Sequence, residues 1–256
     1  MIKYVQQTGN RMSRRKLVAG VAAVIFMVSI GETAAQPKQV LFLHSFGRNF
    51  QQGVAWGREI QSELNRQSPW PLDIQEESLV TAKTGDDGAE VKFVEYIKAL
   101  YARRPPDLII ALNAPAGRFV QQHRADLFST TPMLFAIVDE RRVEKSMLTE
   151  RDAVVGVRFD QVALAENILR LLPQTKAIAV IIGNSPNERF WTGEQKRIWG
   201  PLLANKAELI FYNERPFEEI LKEVAELPAH SAIFFQGLAV DGAGAVYGEG
   251  AVEAHP

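Results

Sequence analysis

Short apolar runs alternate with longer amphipathic stretches along most of the chain. Runs such as Leu108–Leu112 (LIIAL) and Ala177–Ile182 (AIAVII) are apolar at every position, as expected of central strands in a parallel sheet that helices cover on both faces. In the longer stretch Ala89–Ala102, apolar residues recur at helical spacing and form one stripe. The pattern predicts strands at Val40–His44, Leu72–Glu76, Leu108–Leu112, Met133–Val138, Val154–Val157, Ala177–Ile182, Glu208–Tyr212 and Ala232–Phe235.

Helices are predicted between these strands, at Gly53–Arg66, Ala89–Ala102, Ala116–Leu127, Gln161–Leu171, Glu188–Leu203 and Phe217–Leu227. Strands that alternate with helices predict an α/β fold, in which right-handed crossovers join parallel strands. Because the polar connection 139–152 separates a first group of strands from a group that starts at Val154, two lobes are expected. The predicted organisation is an N-terminal α/β lobe at 38–150, a partial C-terminal α/β lobe at 151–241 and a Gly/Ala-rich tail at 242–256.

A faint internal repeat favours two similar halves. IIALNAPAGRF at 109–119 resembles VIIGNSPNERF at 180–190, since each is an apolar strand followed by Asn, a small residue, Pro and a helix. The repeat places Asn113 and Asn184 at equivalent positions. Asn and Pro recur in unrelated turns, so chance repetition stays an alternative.

The first 35 residues have the order of a secretory signal peptide. A basic start precedes the apolar run Leu17–Ile30, and Thr33–Ala35 supplies small residues for cleavage. The apolar run is shorter than the roughly 20 residues that span a bilayer. Export to the periplasm is therefore predicted, with an uncleaved membrane anchor as the alternative; the pair Arg14–Arg15 also leaves the twin-arginine route open.

Charge and composition exclude several functional classes. Residues 1–35 hold five basic residues and one acid, so the remainder has 24 basic against 29 acidic residues and a net charge of −5. A mildly acidic exported chain is a poor nucleic-acid binder, and no nucleic-acid partner is expected. The chain has no cysteine, which excludes disulfides, thiol nucleophiles and thiolate metal sites.

The stretch VLFLHSFGRNF at 40–50 places polar residues directly after a predicted strand, without the glycines of a dinucleotide or phosphate loop. No cofactor is expected, and no histidine–carboxylate spacing predicts a metal site. A serine hydrolase is the enzyme alternative. It is disfavoured because His44 and Ser45 are neighbours whose side chains point to opposite faces of a strand, and because GNSPN at 183–187 lacks the closing glycine of a nucleophile elbow.

Ligand recognition fits these loops better than catalysis. Polar residues fall at or just beyond the carboxyl ends of several predicted strands, and such ends share one edge of a parallel sheet, where small molecules bind. Nearby aromatics suit stacking, and Arg48 or Arg158 could hold a carboxylate or phosphate. Helix capping explains an isolated Asn or Ser equally well. The polar residues at strand ends are His44, Ser45, Asn113, Asp139, Arg158, Asn184, Ser185 and Gln236.

Four strings carry a resemblance to a known family: VLFLHSFGRNF, SPWPLDI…ESLVTA, RRPPDLII…NAPAGRFVQQHR and AVIIGNSPNERFW. They resemble an extracytoplasmic family related to ABC-transporter substrate-binding proteins, and they are similar to the periplasmic input domain of bacterial sensor histidine kinases. The resemblance runs from about Val40 to Asp241 and implies a type I periplasmic-binding-protein fold, with two Rossmann-like lobes that close on a ligand. It implies a cleft lined by His44, Ser45, Phe46, Asn113, Ala114, Asn184 and Ser185.

The sequence departs from the family pattern after AIFFQGLAVD, where GAGAVYGEGAVEAHP replaces further strands. The second lobe is therefore expected to be incomplete, and a truncated, non-functional relative is one alternative. The main prediction is a non-enzymatic solute-binding domain for a small polar or anionic ligand. Its partner would be an ABC permease or a membrane histidine kinase, and the sequence does not separate transport from sensing.

Overall fold

The structure is a computed structural model, and it describes residues 36–47, 51–79 and 81–247. The predicted signal peptide lies outside the described residues, as do Arg48, Asn49 and the part of the predicted tail from residue 248 onward. Within the described residues, no helix is long and apolar enough to cross a membrane.

The described strands form two parallel sheets of unequal size. The first has five strands in the order β2-β1-β3-β4-β5, and the second has three in the order β7-β6-β8. All the pairings between these strands are parallel, so the predicted α/β fold class with parallel sheets is confirmed. The strands are β1 Lys38–His44, β2 Leu72–Ser78, β3 Leu108–Leu112, β4 Met133–Asp139, β5 Ala153–Val157, β6 Ala177–Ile182, β7 Glu208–Phe211 and β8 Ser231–Gly237.

Helices connect all successive strands except β4 and β5, as the apolar periodicity predicts. The predicted helix Ala116–Leu127 is two helices, because the chain turns at His123 between them. Two short 3-10 turns, Glu140–Arg142 and Lys145–Met147, follow β4. The helices are α1 Gln51–Gln67, α2 Thr81–Thr84, α3 Asp87–Leu100, α4 Asn113–Gln122, α5 Arg124–Leu127, α6 Gln161–Leu171, α7 Pro186–Leu203 and α8 Phe217–Ala225.

Both faces of the first sheet are buried, which explains the uninterrupted apolar runs of its central strands. Leu41 and Leu43 face one core cluster together with Phe119 of α4. Phe42 and Ile110 face the other cluster, where Ile60 of α1 packs against them. Burial of each large side chain stabilises the fold by about 1.5–3 kcal/mol.

The second sheet is buried on one face and partly bare on the other. Trp199 of α7 is fully buried against the face that carries Ile178 and Val180. Helix α8 covers β6 and β7 on the opposite face. At β8 this opposite face is uncovered within the described residues, since Ile233 is 54% and Phe235 52% exposed.

The expectation that a second group of strands starts at Val154 is wrong. Strand β5 pairs with β4 in the first sheet, and Val154 packs into that sheet's core. The connection after β4 is short and pinned by Asp152, whose carboxylate accepts hydrogen bonds from the Met133 and Thr149 amides at 2.9 and 2.8 Å. The chain therefore returns beside β4, and the change of sheet falls between β5 and β6. The division into lobes at 150 and 151 itself stays a prediction.

Candidate functional site

The carboxyl ends of the first sheet's strands meet at one edge. His44, the last residue of β1, lies opposite Leu112, the last residue of β3, and Leu112 lies opposite Ala136 of β4. This register brings His44 and Asn113 to neighbouring positions, as the strand-end pattern predicts. The same edge also receives Ser78 of β2, which is paired with His44.

His44 is buried and bonded to a carboxylate within its own half of the molecule. Its Nε2 lies 3.0 Å from Oε2 of Glu76 on the neighbouring strand β2. Gln61 of α1 donates a hydrogen bond of 2.6 Å to the other oxygen of Glu76. The imidazole is thus held in place at the end of the sheet.

Ser45 joins two elements of the fold. Its hydroxyl donates to the Leu112 carbonyl at 2.7 Å and accepts from the Ala116 amide at 2.9 Å. The second bond satisfies an amide of the first turn of α4, the usual task of a cap. Phe46 packs against the core, and Ala114 is buried in α4. These contacts are structural, and a ligand contact from any of the three residues stays a prediction.

Asn113 differs from its neighbours because part of its side chain has no partner. Its φ is +69°, a left-handed conformation that asparagine tolerates better than most residues. Its Oδ1 atom is buried without a hydrogen-bond partner among the described residues. An unsatisfied buried acceptor costs about 1–3 kcal/mol, and orphaned groups and left-handed residues both concentrate at functional sites.

Asp139 and Arg141 form a bidentate ion pair after β4. The Arg141 Nε and Nη2 atoms lie 2.9 and 2.7 Å from the two Asp139 oxygens, and the Arg141 amide donates a third bond. Burial raises the pKa of Asp139, but the hydrogen bonds from Arg141 outweigh it, so this pKa lies below its ordinary value. The carboxylate is therefore ionised and already occupied.

A cavity of about 400 Å³ opens between the carboxyl ends of β4 and β5 and helix α7. Asp139 and Arg158 both line it, so two predicted site residues come together there. The Arg158 side chain is 85% exposed and lies 3.7 Å from Glu140. Phe159, half exposed on the wall, packs edge-to-face on Trp191 at 5.3 Å. A volume of this size suits a small metabolite.

The predicted residues of the second half are mostly used by the fold. Ser185 is the N-cap of α7 in a capping box with Glu188, with bonds of 2.9 and 3.3 Å. The Asn184 amide donates to the Val240 carbonyl at 2.7 Å. Gln236 accepts a hydrogen bond from the buried Gln195. Ligand contacts from these residues stay predictions.

Loops that follow strand carboxyl ends in the two halves touch one another, and we call this contact region the seam. It comprises 81–85 and 140–142 on the first side, and the start of α7 and the loop 238–247 on the second. Gly85 is so close to Pro186 that a Cβ atom at residue 85 would lie 2.9 Å from the proline Cγ. The Lys83 ammonium donates to the Tyr247 carbonyl at 3.3 Å.

Arginine side chains bridge the middle of the seam. Arg141 reaches across to Glu194 of α7 at 2.7 Å. Arg142 donates to the Asn187 side chain and lies over the Phe190 ring, 4.3 Å from its centroid. Both arginines therefore contact helix α7 rather than only solvent. The sequence does not reveal these contacts, because two neighbouring arginines in a polar connection look the same whether they face solvent or another helix.

The described residues contain no group of three or more His, Asp or Glu side chains that could hold a metal ion. The two histidines that form ring hydrogen bonds, His44 and His123, bond Glu76 and Glu90 rather than a serine. Among the described residues, Ser45 and Ser185 likewise hydrogen-bond backbone groups and the Glu188 carboxylate, not a histidine.

No protein-family model matches the chain, and no curated protein matches it. Solved structures do match. A sugar ABC transport system substrate-binding protein from Bordetella parapertussis has a TM-score of 0.48 and 15% identity over 79% of this chain and 61% of the other. An ABC transporter solute-binding protein from Thermobispora bispora has a TM-score of 0.47 and 14% identity over 80% of this chain and 62% of the other.

A substrate-binding protein with adhesive properties from Clostridium difficile, in its ligand-free open form, has a TM-score of 0.44 and 13% identity over 77% of this chain and 65% of the other. The chain spans about three fifths of the length of the solved structures it matches. At these identities and TM-scores, the α/β fold class rests on the strand pairings themselves.

Proposed function

We propose that the chain is a non-enzymatic, extracytoplasmic binding protein that recognises a small polar or anionic ligand between its two parallel sheets. One observation carries the proposal: loops that follow the carboxyl ends of strands in both sheets meet at the seam. Open α/β sheets bind ligands at these ends. In a cleft between the two sheets, the carboxyl ends of both sets of strands would therefore face the ligand.

The contacts across the seam are of a kind that can open and close. They are exposed or half-buried polar bonds and a cation–aromatic contact, and such bonds contribute little to stability individually. A ligand that adds contacts on both sides would therefore shift the equilibrium toward the closed form. In this proposal Asn113 offers its unpartnered Oδ1 atom as an acceptor for a ligand donor.

Delivery of the ligand to an ABC permease is the role that we propose first, with input to a membrane histidine kinase as the second use that the sequence resemblance implies. The genes that flank this one separate the two. A neighbouring permease and ATPase support delivery, and a neighbouring kinase supports sensing.

Thermal unfolding with metabolite pools tests the binding proposal. A ligand at 100 times its Kd should stabilise the protein by about 2.7 kcal/mol, which is measurable by differential scanning fluorimetry with pools of amino acids, sugars, organic acids and purines. Absence of a shift with every pool would count against a working site.

Asn113→Gly is the matched variant for this test, since glycine keeps the left-handed backbone and removes the amide. We expect it to lose more than tenfold in affinity for the ligand that the pools identify. Asn205→Gly, which removes an exposed asparagine in the turn after α7, is the control and should bind as wild type. Ester hydrolysis that Ser45→Ala abolishes would instead support the hydrolase alternative.

A further inference from the structure

Strand β8 is an edge of the second sheet, and its outer side has no partner strand among the described residues. The Val180 carbonyl of β6 accepts a hydrogen bond from the Tyr212 amide at 3.1 Å, so the even-numbered residues of β6 bond towards β7 and the odd-numbered ones towards β8. These odd-numbered residues lie opposite Ile233 and Phe235. Because only one residue of each facing pair bonds across a parallel ladder, Ile233 and Phe235 direct their N–H and C=O groups to the free edge.

One face of the same strand is apolar and bare. The side chains of Ile233 and Phe235 point to the same face, since they are two residues apart, and both are more than half exposed. Helix α8 packs on this face of the sheet at β6 and β7. Phe234 points to the opposite face, where its ring lies 5.2 Å from that of Trp199. Strand β8 is therefore anchored from one face only.

The sequence of β8 lacks the features that normally keep an edge strand from pairing. Such strands are usually protected by charged side chains, by proline or by a covering segment. Residues 228–240 contain no Asp, Glu, Lys or Arg. The other edge strands carry or adjoin charges: Asp73, Glu76 and Glu77 in β2, Glu208 in β7, and Asp152 and Arg158 on either side of β5.

Strand β8 is complementary to a second copy of itself. In an antiparallel pair with a two-fold axis at Phe234, Ile233 of each copy lies opposite Phe235 of the other. The backbone groups that point to the edge then meet as hydrogen-bonded pairs, and an aromatic side chain faces a β-branched one across the strands, which is a favourable pairing. The axis is perpendicular to the sheet, so the bare faces of both copies lie on the same side and their apolar side chains shield one another.

We infer that the β8 edge is an interface between two copies of this chain, which pair antiparallel about Phe234 and join their second sheets into one sheet of six strands. A two-fold interface of this kind is closed, so assembly stops at the dimer. An interface of one strand pair is small, and the dimer therefore forms reversibly. The inference does not depend on the proposed ligand cleft, because it uses the edge of the sheet and not the carboxyl ends of the strands.

Sedimentation velocity of the purified protein over a hundredfold range of concentration tests the inference. We expect the sedimentation coefficient to rise with concentration from the value of a monomer towards that of a dimer and to go no further. A monomer across the whole range would overturn the inference. If β8 amides in that monomer were also protected from hydrogen exchange, a segment of the chain outside the described residues would be the occupant of the edge.

Lysine variants locate the interface. Ile233→Lys and Phe235→Lys should each raise the dissociation constant of the dimer at least tenfold, because each puts a charge against the apolar residue of the other copy. Both positions are exposed, so the fold should be retained, which circular dichroism checks. Val155→Lys is the matched control, since Val155 is an equally exposed apolar residue on edge strand β5, and it should dimerise as wild type. Equal weakening by Val155→Lys would show non-specific association and overturn the inference.

Disulfide cross-linking tests the register. The chain has no cysteine, so a mixture of the single variants Ile233→Cys and Phe235→Cys can form only three kinds of linked dimer. We expect the mixed cross-link between residues 233 and 235 to exceed both same-position cross-links after mild oxidation, because these two residues face each other directly. Predominance of a same-position cross-link, or equal yields of all three, would overturn pairing about Phe234.

Discussion

At the scale of single residues, buried aspartates fix the connections that surround the seam. The Asp152 side chain is fully buried, accepts two backbone hydrogen bonds and pairs with Arg124 at 2.5 Å. Burial raises the pKa of Asp152, but the bonds from Arg124, Thr149 and Met133 outweigh it and lower this pKa below its ordinary value. The ionised form of Asp152 is therefore stabilised by folding.

Asp152→Asn should destabilise the protein by about 3 kcal/mol, since it leaves the buried Arg124 without its counter-charge. Because the folded pKa is lowered, the stabilisation by Asp152 is present above the unfolded pKa of about 3.9 and is lost as the pH falls through the folded value. The difference between wild type and variant should therefore shrink below about pH 4. Urea unfolding at a series of pH values measures it.

Asp126→Asn is the control for this prediction. Asp126 is exposed, and its side chain forms no hydrogen bond or ion pair among the described residues, so its replacement should change the free energy of unfolding by less than about 0.5 kcal/mol. A pH-independent loss in Asp152→Asn would show that packing, and not charge, is what Asp152 supplies.

The sequence predicted where the polar residues of the site lie but not which of them are free. His44, Ser45 and Ser185 follow strands as expected, yet all three are bonded within the fold. Caps and ligand contacts use the same residue types at the same positions, so one sequence cannot separate them. Asn113 is distinguished by its left-handed φ and its unpaired oxygen, and both are properties of the three-dimensional structure.

At the scale of elements, the loop 238–247 is better ordered than its glycines suggest. Asp241, a buried residue, accepts hydrogen bonds from the amides of Phe217, Ala243 and Ala245 and from the Tyr247 hydroxyl. The described part of the predicted tail, 242–247, contains no helix or strand, but these hydrogen bonds fix its course. The loop is also tied to the start of α8, because Phe217 is the first residue of that helix.

Gly242→Ala should loosen this loop. A Cβ atom at residue 242 would collide with the backbone of Glu214, which cannot move as a flexible side chain can. Overpacking of this kind costs about 1–3 kcal/mol. Hydrogen exchange should show faster exchange at 238–247 and in the first turn of α8, and unchanged protection in β1 and β3.

Gly193→Ala is the matched control, because a Cβ atom there meets no neighbour and alanine favours a helix. It should leave exchange in the loop unchanged. Uniform loss of protection across both sheets in Gly242→Ala would show that the loop does not open on its own.

Element bounds followed from local periodicity, whereas sheet membership did not. The runs Leu108–Leu112 and Ala177–Ile182 matched β3 and β6 residue for residue, because full burial removes every polar position. The sequence analysis placed β5 in the second group of strands, but β5 pairs with β4 in the first sheet. This pairing depends on the connection that Asp152 holds in place, and not on the sequence of β5 itself. A short stretch of sequence does not show which distant strand it will pair with.

At the scale of the whole molecule, the proposed ligand binding requires the two halves to separate. The seam joins them through the Arg141–Glu194 pair, the Arg142–Phe190 contact and the close approach of Gly85 to Pro186. The apolar cores of the two sheets are separate clusters. A polar seam between two independent cores is the arrangement expected of hinge closure around a ligand.

A disulfide across the seam tests this motion directly. The chain has no cysteine, so Gly85→Cys together with Pro186→Cys introduces one unambiguous pair at a point where a side chain at residue 85 would touch the Pro186 ring. Small-angle X-ray scattering should give a smaller radius of gyration for the oxidised double variant than for the same protein after reduction. Binding of the ligand identified by the pools should be at least tenfold slower in the oxidised form, because entry requires the seam to open.

The single variant Gly85→Cys controls for the strain of a side chain at a φ of +67°. Equal radii and equal binding rates in both redox states would mean that the halves do not separate, and the proposed cleft would then have to admit its ligand by another route.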